Sequence, residues 1–180
     1  MQDIIRPTVA GMARDGIPFT GFLYAGLMID AKGQVRTLEF NTRMGDPETQ
    51  PILMRLKSDL VDLLCHGTDG TLDQVELQWD RRVALGVVMA AAGYPADPRK
   101  GDVITGLPAD AAGTDDAMVF HAGTVAADGQ TLTSGGRVLC VTALGDSARA
   151  AQQRAYELLR PIRFDGAQWR TDIGHRAIKR

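Results

Sequence analysis

Apolar and polar positions along the chain change period several times, and each change marks an element. Ile4, Ile5, Val9 and Met12 fall on one helical stripe over residues 2–14, with Arg6 and Arg14 outside it and Pro7 early enough for a first turn. Asp15-Gly16-Ile17-Pro18 breaks that helix. Residues 19–29 are rich in aromatic and apolar side chains, with Gly21 and Gly26 interrupting, which predicts a buried strand close to other backbone. Asp30-Ala31-Lys32-Gly33 supplies a turn, and Gln34 to Asn41 then alternates polar with apolar, predicting a half-buried second strand of an antiparallel hairpin. From Glu48 to about His66, Ile52, Leu53, Leu56, Leu60, Val61, Leu63 and Leu64 support one helix or two, with Ser58-Asp59 as the point of restart. Gly67-Thr68-Asp69-Gly70 stops it.

The pattern is different downstream. Short apolar runs at 83–89, 102–106, 118–124 and 136–144 are separated by glycine, proline and aspartate turns, which predicts a compact antiparallel sheet or barrel. Gly135-Gly136 reads as a hairpin turn, because a phosphate loop would carry Lys-Ser/Thr and a following helix. Asp146-Ser147 caps a helix whose small and apolar face is Ala148, Ala151, Ala155, Leu158 and Leu159, and Pro161 ends it. The chain therefore reads as α+β, with a domain boundary near 67–80 dividing residues 1–70 from residues 80–180.

Composition narrows the function. With 180 residues, 44% hydrophobic and 23% charged, the chain is an ordinary globular one, and a net charge of −2 gives no basic face for nucleic acid. No apolar run approaches the ~20 residues of a membrane span. Cys65 and Cys140 match no zinc spacing and read as buried free thiols, which favours a cytoplasmic home. The stretch from Met1 to Arg6 lacks a basic-then-apolar leader, and Met1 itself reads as an internal methionine at a truncation point. His66, His121 and His175 lack carboxylate or cysteine at ligand spacing, so they read as satisfied or surface histidines. Arg170, Asp172 and Arg176 are placed to reach back to a site, but an ion-paired tail is the more economical account of them.

One stretch, Leu38 to Gln50, is built for chemistry. Glu39 and Asn41 share a strand face with Cα atoms roughly 7 Å apart, so a carboxylate and an amide oxygen converge on one hard cation of the Mg²⁺ type. Phe40, between them, points the opposite way into the core. Asp46 suits a helix N-cap and Pro47 the first helical position, yet capping alone leaves Arg43 and Glu48 unexplained.

Glu39-Phe40-Asn41 followed by Arg43-Met44-Gly45-Asp46-Pro47-Glu48-Thr49-Gln50 resembles the signature of the phosphoribosylamine-glycine ligase (glycinamide ribonucleotide synthetase) family. Gly93-Tyr94-Pro95, Phe120-His121-Ala122-Gly123-Thr124, Ser134-Gly135-Gly136-Arg137-Val138-Leu139 and Arg170-Thr171-Asp172-Ile173-Gly174 extend the resemblance over nearly the whole chain. Met44 stands where Leu or Phe would be expected. The resemblance implies the C-terminal part of an ATP-grasp domain followed by a small antiparallel β-barrel-like domain with a helix. The family's N-terminal domain and the first part of its ATP-grasp region have no counterpart in these residues.

What the resemblance implies for chemistry is ATP-dependent ligation of glycine to 5-phosphoribosylamine in purine biosynthesis, through a glycyl phosphate, with Mg²⁺ or Mn²⁺ on the phosphates. Glu39 and Asn41 fill the family's metal-ligand positions. Many ATP-grasp relatives carry a further acid thirteen residues before this glutamate, where this chain has Gly26. Arg43 suits a carboxylate or phosphate, whereas Asp46 and Glu48 suit an ammonium group or a second metal. The competing reading is a non-catalytic binding or assembly module that needs a partner chain.

Overall fold

The computed structural model describes residues 2–108 and 115–179, and the reading of Met1 lies outside them. It contains α1 (Ile5–Arg14), β1 (Tyr24–Ile29), β2 (Val35–Asn41), α2 (Thr49–Arg55), α3 (Leu60–Asp69), β3 (Val83–Ala90), β4 (Val103–Ile104), β5 (Ala117–His121), β6 (Thr124–Ala127), β7 (Gln130–Thr133), β8 (Arg137–Gly145), α4 (Ala148–Leu159) and α5 (His175–Ile178). By contact these form two compact units, one of Met1–Asp46 with Lys57–Gln78, the other of Pro47–Leu56 with Trp79–Arg180. The class is α+β, with antiparallel sheets throughout.

In the first unit, Asp30 Oδ1 accepts hydrogen bonds from the backbone N–H groups of Lys32 and Gln34, which closes the turn between β1 and β2. The two strands pair antiparallel from Tyr24↔Asn41 to Ile29↔Val35, and the register shifts between Gly26 and Leu27, so that Leu38 is the extra residue of a bulge. The hairpin was expected to be buried and is not. No hydrophobic residue of this unit is buried among the described residues, Leu38 is 65% exposed, and Phe40 is 42% exposed rather than in a core. The reason is physical: a two-stranded hairpin has two faces to cover, and α1 and α3 have no buried residue with which to cover either.

The expected helix over residues 48–66 is two helices. Asp59 accepts from Val61 N–H and Asp62 N–H, so the restart at Ser58-Asp59 is a true N-cap. α3 runs through Gly67 and stops at Gly70, whose φ of 71° is a left-handed cap. Cys65, expected inside, is exposed on α3. Asp46 is not the N-cap of α2 and Pro47 is not its first residue, because helix begins at Thr49. Pro51 has no N–H to give the Pro47 carbonyl, so the first bond of this turn is Ile52 N–H to Glu48 O at 3.2 Å.

The second unit holds the core. Its main sheet has the order β3-β8-β5. Leu85, Val87 and Met89 of β3 and Leu139, Val141 and Ala143 of β8 cluster with Ala151, Ala155 and Leu159 of α4. The other face of β3 lies under α2, where a Cβ on Gly86 would meet Cys140 Sγ and Thr142 Oγ1 at 3.2 Å and Pro51 at 3.8 Å. Covered on both faces, β8 is buried from Val138 to Leu144, and its sequence is a continuous apolar run instead of an alternation. Ser147 caps α4 by accepting from Ala150 N–H.

No closed barrel forms among the described residues. β4, β7 and β6 make a separate three-stranded sheet in that order. The β6–β7 hairpin, which the apolar runs did not reveal, turns at Asp128-Gly129, with φ of 49° and 72°. Gly135-Gly136 is not a hairpin turn: β7 pairs with β4 and β6, whereas β8 pairs with β3 and β5, so this loop carries the chain from one sheet to the other.

Candidate functional site

Bulging at Leu38 leaves the end of β2 in regular register, with Glu39 opposite Gly26 and Asn41 opposite Tyr24. Two residues apart on one strand, the Glu39 and Asn41 side chains leave the same face. Gly26 makes room for the first of them, since a Cβ there would come within 3.1 Å of Glu39 Cγ. Beyond the ladder, neither the Glu39 nor the Asn41 side chain has a hydrogen-bond or ion-pair partner among the described residues. A carboxylate and an amide oxygen with no protein partner are hard oxygen donors, and they fit Mg²⁺ or Mn²⁺ in chemistry. The described residues contain no group of three or more histidine, cysteine or acidic side chains suited to a metal, so a cation at this hairpin would draw its other ligands from water and substrate.

Arg43 is exposed and gives one Nη1 hydrogen bond, 3.0 Å, to the Met44 carbonyl. Asp46 lies in the turn at the end of the first unit's leading segment, and Glu48 immediately precedes α2 in the second unit. Two residues further on, Gln50 Oε1 is a buried acceptor without a partner. An unpaired buried acceptor costs about 1–3 kcal/mol. The sequence suggested no role for this signature residue.

A second group of side chains converges within the second unit. Pro47, Tyr94, Arg137, Gln168, Trp169 and Arg170 border an open cavity of about 380 Å³. Arg137 Nε donates to Tyr94 Oη at 3.0 Å, which fixes the guanidinium plane. Glycine is needed beneath it, because a Cβ at Gly136 would stand 2.6 Å from the Tyr94 ring. In the sequence, Tyr94 and Arg137 belong to two separate matched motifs with no site assigned to either, and Arg170 belongs to the C-terminal group expected to reach back to a site or, more economically, to form an ion-paired tail. That pairing is present: Arg170 Nε and Nη2 donate to the two Asp172 oxygens at 2.9 and 2.8 Å. The guanidinium holds the Asp172 carboxyl below its ordinary range.

The histidines are accounted for locally. His66 and His121 pair with Thr71 and Thr124, and His175 Nδ1 lies 2.9 Å from the Asp172 carbonyl. No helix among the described residues is long and apolar enough to cross a membrane.

Comparison with known proteins gives the family. The family model described as phosphoribosylglycinamide synthetase, C domain, matches residues 84–176, and that described as phosphoribosylglycinamide synthetase, ATP-grasp (A) domain, matches residues 1–49. A phosphoribosylamine–glycine ligase of Ralstonia nicotianae is 63% identical over 180 residues, covering 100% of this chain and 42% of the relative. One from Vibrio parahaemolyticus is 58% identical over the same span. The chain thus spans 42% of the length of these curated relatives. Among solved structures, the phosphoribosylamine–glycine ligase of Thermotoga maritima superposes with a TM-score of 0.76 at 37% identity, over 91% of this chain and 39% of that one. The biotin carboxylase domain of Hydrogenobacter thermophilus 2-oxoglutarate carboxylase shares the fold at 16% identity, with a TM-score of 0.61 over 93% of this chain and 37% of that one.

Proposed function

Because the chain belongs to the phosphoribosylglycinamide synthetase family, we propose that it is the C-terminal part of a cytoplasmic ATP-dependent ligase that joins glycine to 5-phosphoribosylamine in purine biosynthesis. The observation that carries this reading is the pair Glu39 and Asn41, two partnerless oxygen donors on one strand face beside Gly26. They would hold Mg²⁺ or Mn²⁺, which when bound neutralises charge on ATP as the γ-phosphoryl moves to the glycine carboxylate. Arg43 would orient a carboxylate or phosphate through its fork of donors. Asp46 and Glu48 would receive an amine, since acids repel phosphate. The remaining donors for adenine and the phosphates would come from the polypeptide that makes up the rest of the relatives' length.

The test joins this chain to the N-terminal remainder of the Ralstonia nicotianae relative and measures ADP release with glycine and phosphoribosylamine. Turnover is expected in the joined enzyme and its loss in Glu39→Ala, with unchanged cooperative thermal unfolding. Undiminished turnover in Glu39→Ala at ordinary Mg²⁺ would refute the assignment. For Asp46, Asp46→Asn is expected to raise the glycine KM without altering ATP binding. The division into domains at 1–70 and 80–180 predicts first proteolytic cleavage within residues 67–80.

A further inference from the structure

We propose that the cavity between α2 and the start of β3 is a binding site for a small aromatic carboxylate, a ligand that carries acceptors on an apolar ring and no hydrogen-bond donors. The space is about 510 Å³, within the roughly 300–1,000 Å³ of small-molecule sites, and every residue that borders it belongs to the second unit. The ligase reading gives it no role, and the inference does not depend on that reading.

Charge selects an anion. Arg55, Arg81 and Arg82 border the cavity and no carboxylate does. Arg82 is neutralised, because it is paired with Asp80 and Asp116. Arg81 is exposed and has no hydrogen-bond or ion-pair partner among the described residues, so its whole guanidinium is open. Arg55 donates from Nε and Nη2 to the Asp80 carbonyl at 3.1 and 3.0 Å, which fixes its plane and leaves its charge unmatched, since a carbonyl has no charge to offset it. Its Nη1 has no partner among the described residues. The backbone beneath is tied as well: Leu56 pairs antiparallel with Trp79, and Asp80 N–H donates to the Arg55 carbonyl at 2.7 Å. Preorganisation of this kind lowers the ordering cost of binding.

The rest of the wall selects what carries the charge. Trp79, Ile52 and Val83 are 42%, 40% and 38% exposed beside Pro51, and the indole gives an aromatic ring a face or an edge to pack on. Guanidinium and indole groups donate hydrogen bonds and accept none, so no bordering side chain is an acceptor. A ligand with N–H or O–H groups would bring those donors against a wall whose side chains cannot receive them. That sets aside the glycine ammonium, sugar hydroxyls and the adenine amino group. A carboxylate on a hydrocarbon ring remains, and its two oxygens match the guanidinium fork.

The experiment follows the indole N–H signals of the isotope-labelled 180-residue chain by NMR, with Trp79→Phe identifying which of the 2 tryptophans gives which signal. Naphthoate, its neutral alcohol naphthylmethanol, glycine and ATP are titrated separately without metal. A saturable shift of the Trp79 signal with naphthoate and an unmoved Trp169 signal are expected, with the alcohol weaker by about 10-fold and no saturable shift from glycine or ATP. Reading the indole localises the event, so naphthoate held on apolar surface elsewhere does not count. Arg81→Gln, at an exposed position that costs the fold little, should weaken naphthoate binding by about 3- to 10-fold, with Arg81→Lys intermediate. Ile52→Glu, which brings a carboxylate into the wall, should abolish it; it serves as the second variant. No saturation at Trp79, equal shifts of both indoles, equal binding of the alcohol, saturation by ATP or glycine, or a folded Arg81→Gln or Ile52→Glu chain that binds like the parent would each overturn the assignment. Because no ligation is measured, these outcomes are separate from the fate of the ligase reading.

Discussion

Gly26 stands directly across the β1–β2 ladder from Glu39, at a spacing where any Cβ on residue 26 would press against Glu39 Cγ at 3.1 Å. The position where many ATP-grasp relatives carry another acid is here the floor on which the glutamate rests. Gly26→Val is therefore expected to displace the Glu39 side chain with little cost to the strand, since valine suits extended backbone. In the joined enzyme, the Mg²⁺ concentration for half-maximal turnover should rise several-fold while the unfolding midpoint moves by less than about 1 kcal/mol equivalent. Unchanged Mg²⁺ dependence would show that Glu39 is not held where a cation needs it.

Charge pairing gives the second unit an acid-sensitive joint. Arg82 donates to Asp116 Oδ1 at 2.5 Å and to both Asp80 oxygens, and Arg154 Nη1 of α4 lies 3.5 Å from Asp116 Oδ2. The hydrogen bond from Arg82 holds the Asp116 carboxyl below its ordinary range, and hydrogen bonds to Asp80 first and Asp116 second drive the Arg82 value upward. A carboxyl depressed in the folded state contributes stability that is present above its unfolded value and lost as pH falls through the folded one. Thermal unfolding followed from about pH 5 to pH 2 should thus show a steeper fall for the parent than for Asp116→Asn. Parallel curves would mean that the pair carries no linkage. Asp172, depressed by Arg170, adds a contribution of the same sign.

Where β8 gives way to α4, backbone touches backbone. A Cβ on Gly145 would lie 2.3 Å from Ala151 N and 2.8 Å from the Ala150 carbonyl carbon. Neither neighbour is a flexible side-chain end, so Gly145→Ala forces strand and helix apart. The expected cost is about 3 kcal/mol or more, at the upper end of overpacking effects. Chemical denaturation checks it, and a loss below about 1 kcal/mol would mean that the helix start adjusts freely.

Much of this architecture could be read from the residues. Local signals carried the hairpin turn at Asp30, the restart at Asp59, the cap at Ser147 and the small-residue face of α4, because each depends on side chains within a few positions of the backbone they serve. Long-range relations did not show. Gly135-Gly136 looks like any tight turn until pairing assigns β7 and β8 to different sheets, and pairing partners leave no mark on a loop's composition. The Asp128-Gly129 hairpin does carry a local signal, an Asp-Gly pair between two short strands. Burial of the β1–β2 hairpin was inferred from apolar content, yet apolar content gives only what a strand can bury, and what covers it is a separate matter. Of the site, the signature and its donors were visible, while the cavity at Arg137 joins residues from 47 to 170 and exists only in the folded second unit.

The last expectation is that the 180-residue chain by itself neither ligates glycine nor binds ATP, despite carrying the family's signature. Glu39 and Asn41 are two donors, and Mg²⁺ relies on substrate phosphates to complete its octahedron. Its unit contains no buried apolar side chain among the described residues, and Leu27, Met28, Ile29, Val35, Leu38 and Phe40 of the hairpin are all exposed. A hairpin with so little packed against it is marginal in water, so the donors lack a rigid support. Catalysis by positioning can lower a barrier by roughly 7 to 11 kcal/mol, but only when reactants are held between fixed walls. Calorimetry with ATP and Mg²⁺ should register no specific heat, and no ADP should appear with glycine and phosphoribosylamine. Adding the separately produced N-terminal remainder of the Ralstonia nicotianae relative should restore ADP release in proportion to complex formation. Turnover by the chain alone that vanishes in Glu39→Ala would overturn this and make the hairpin self-sufficient.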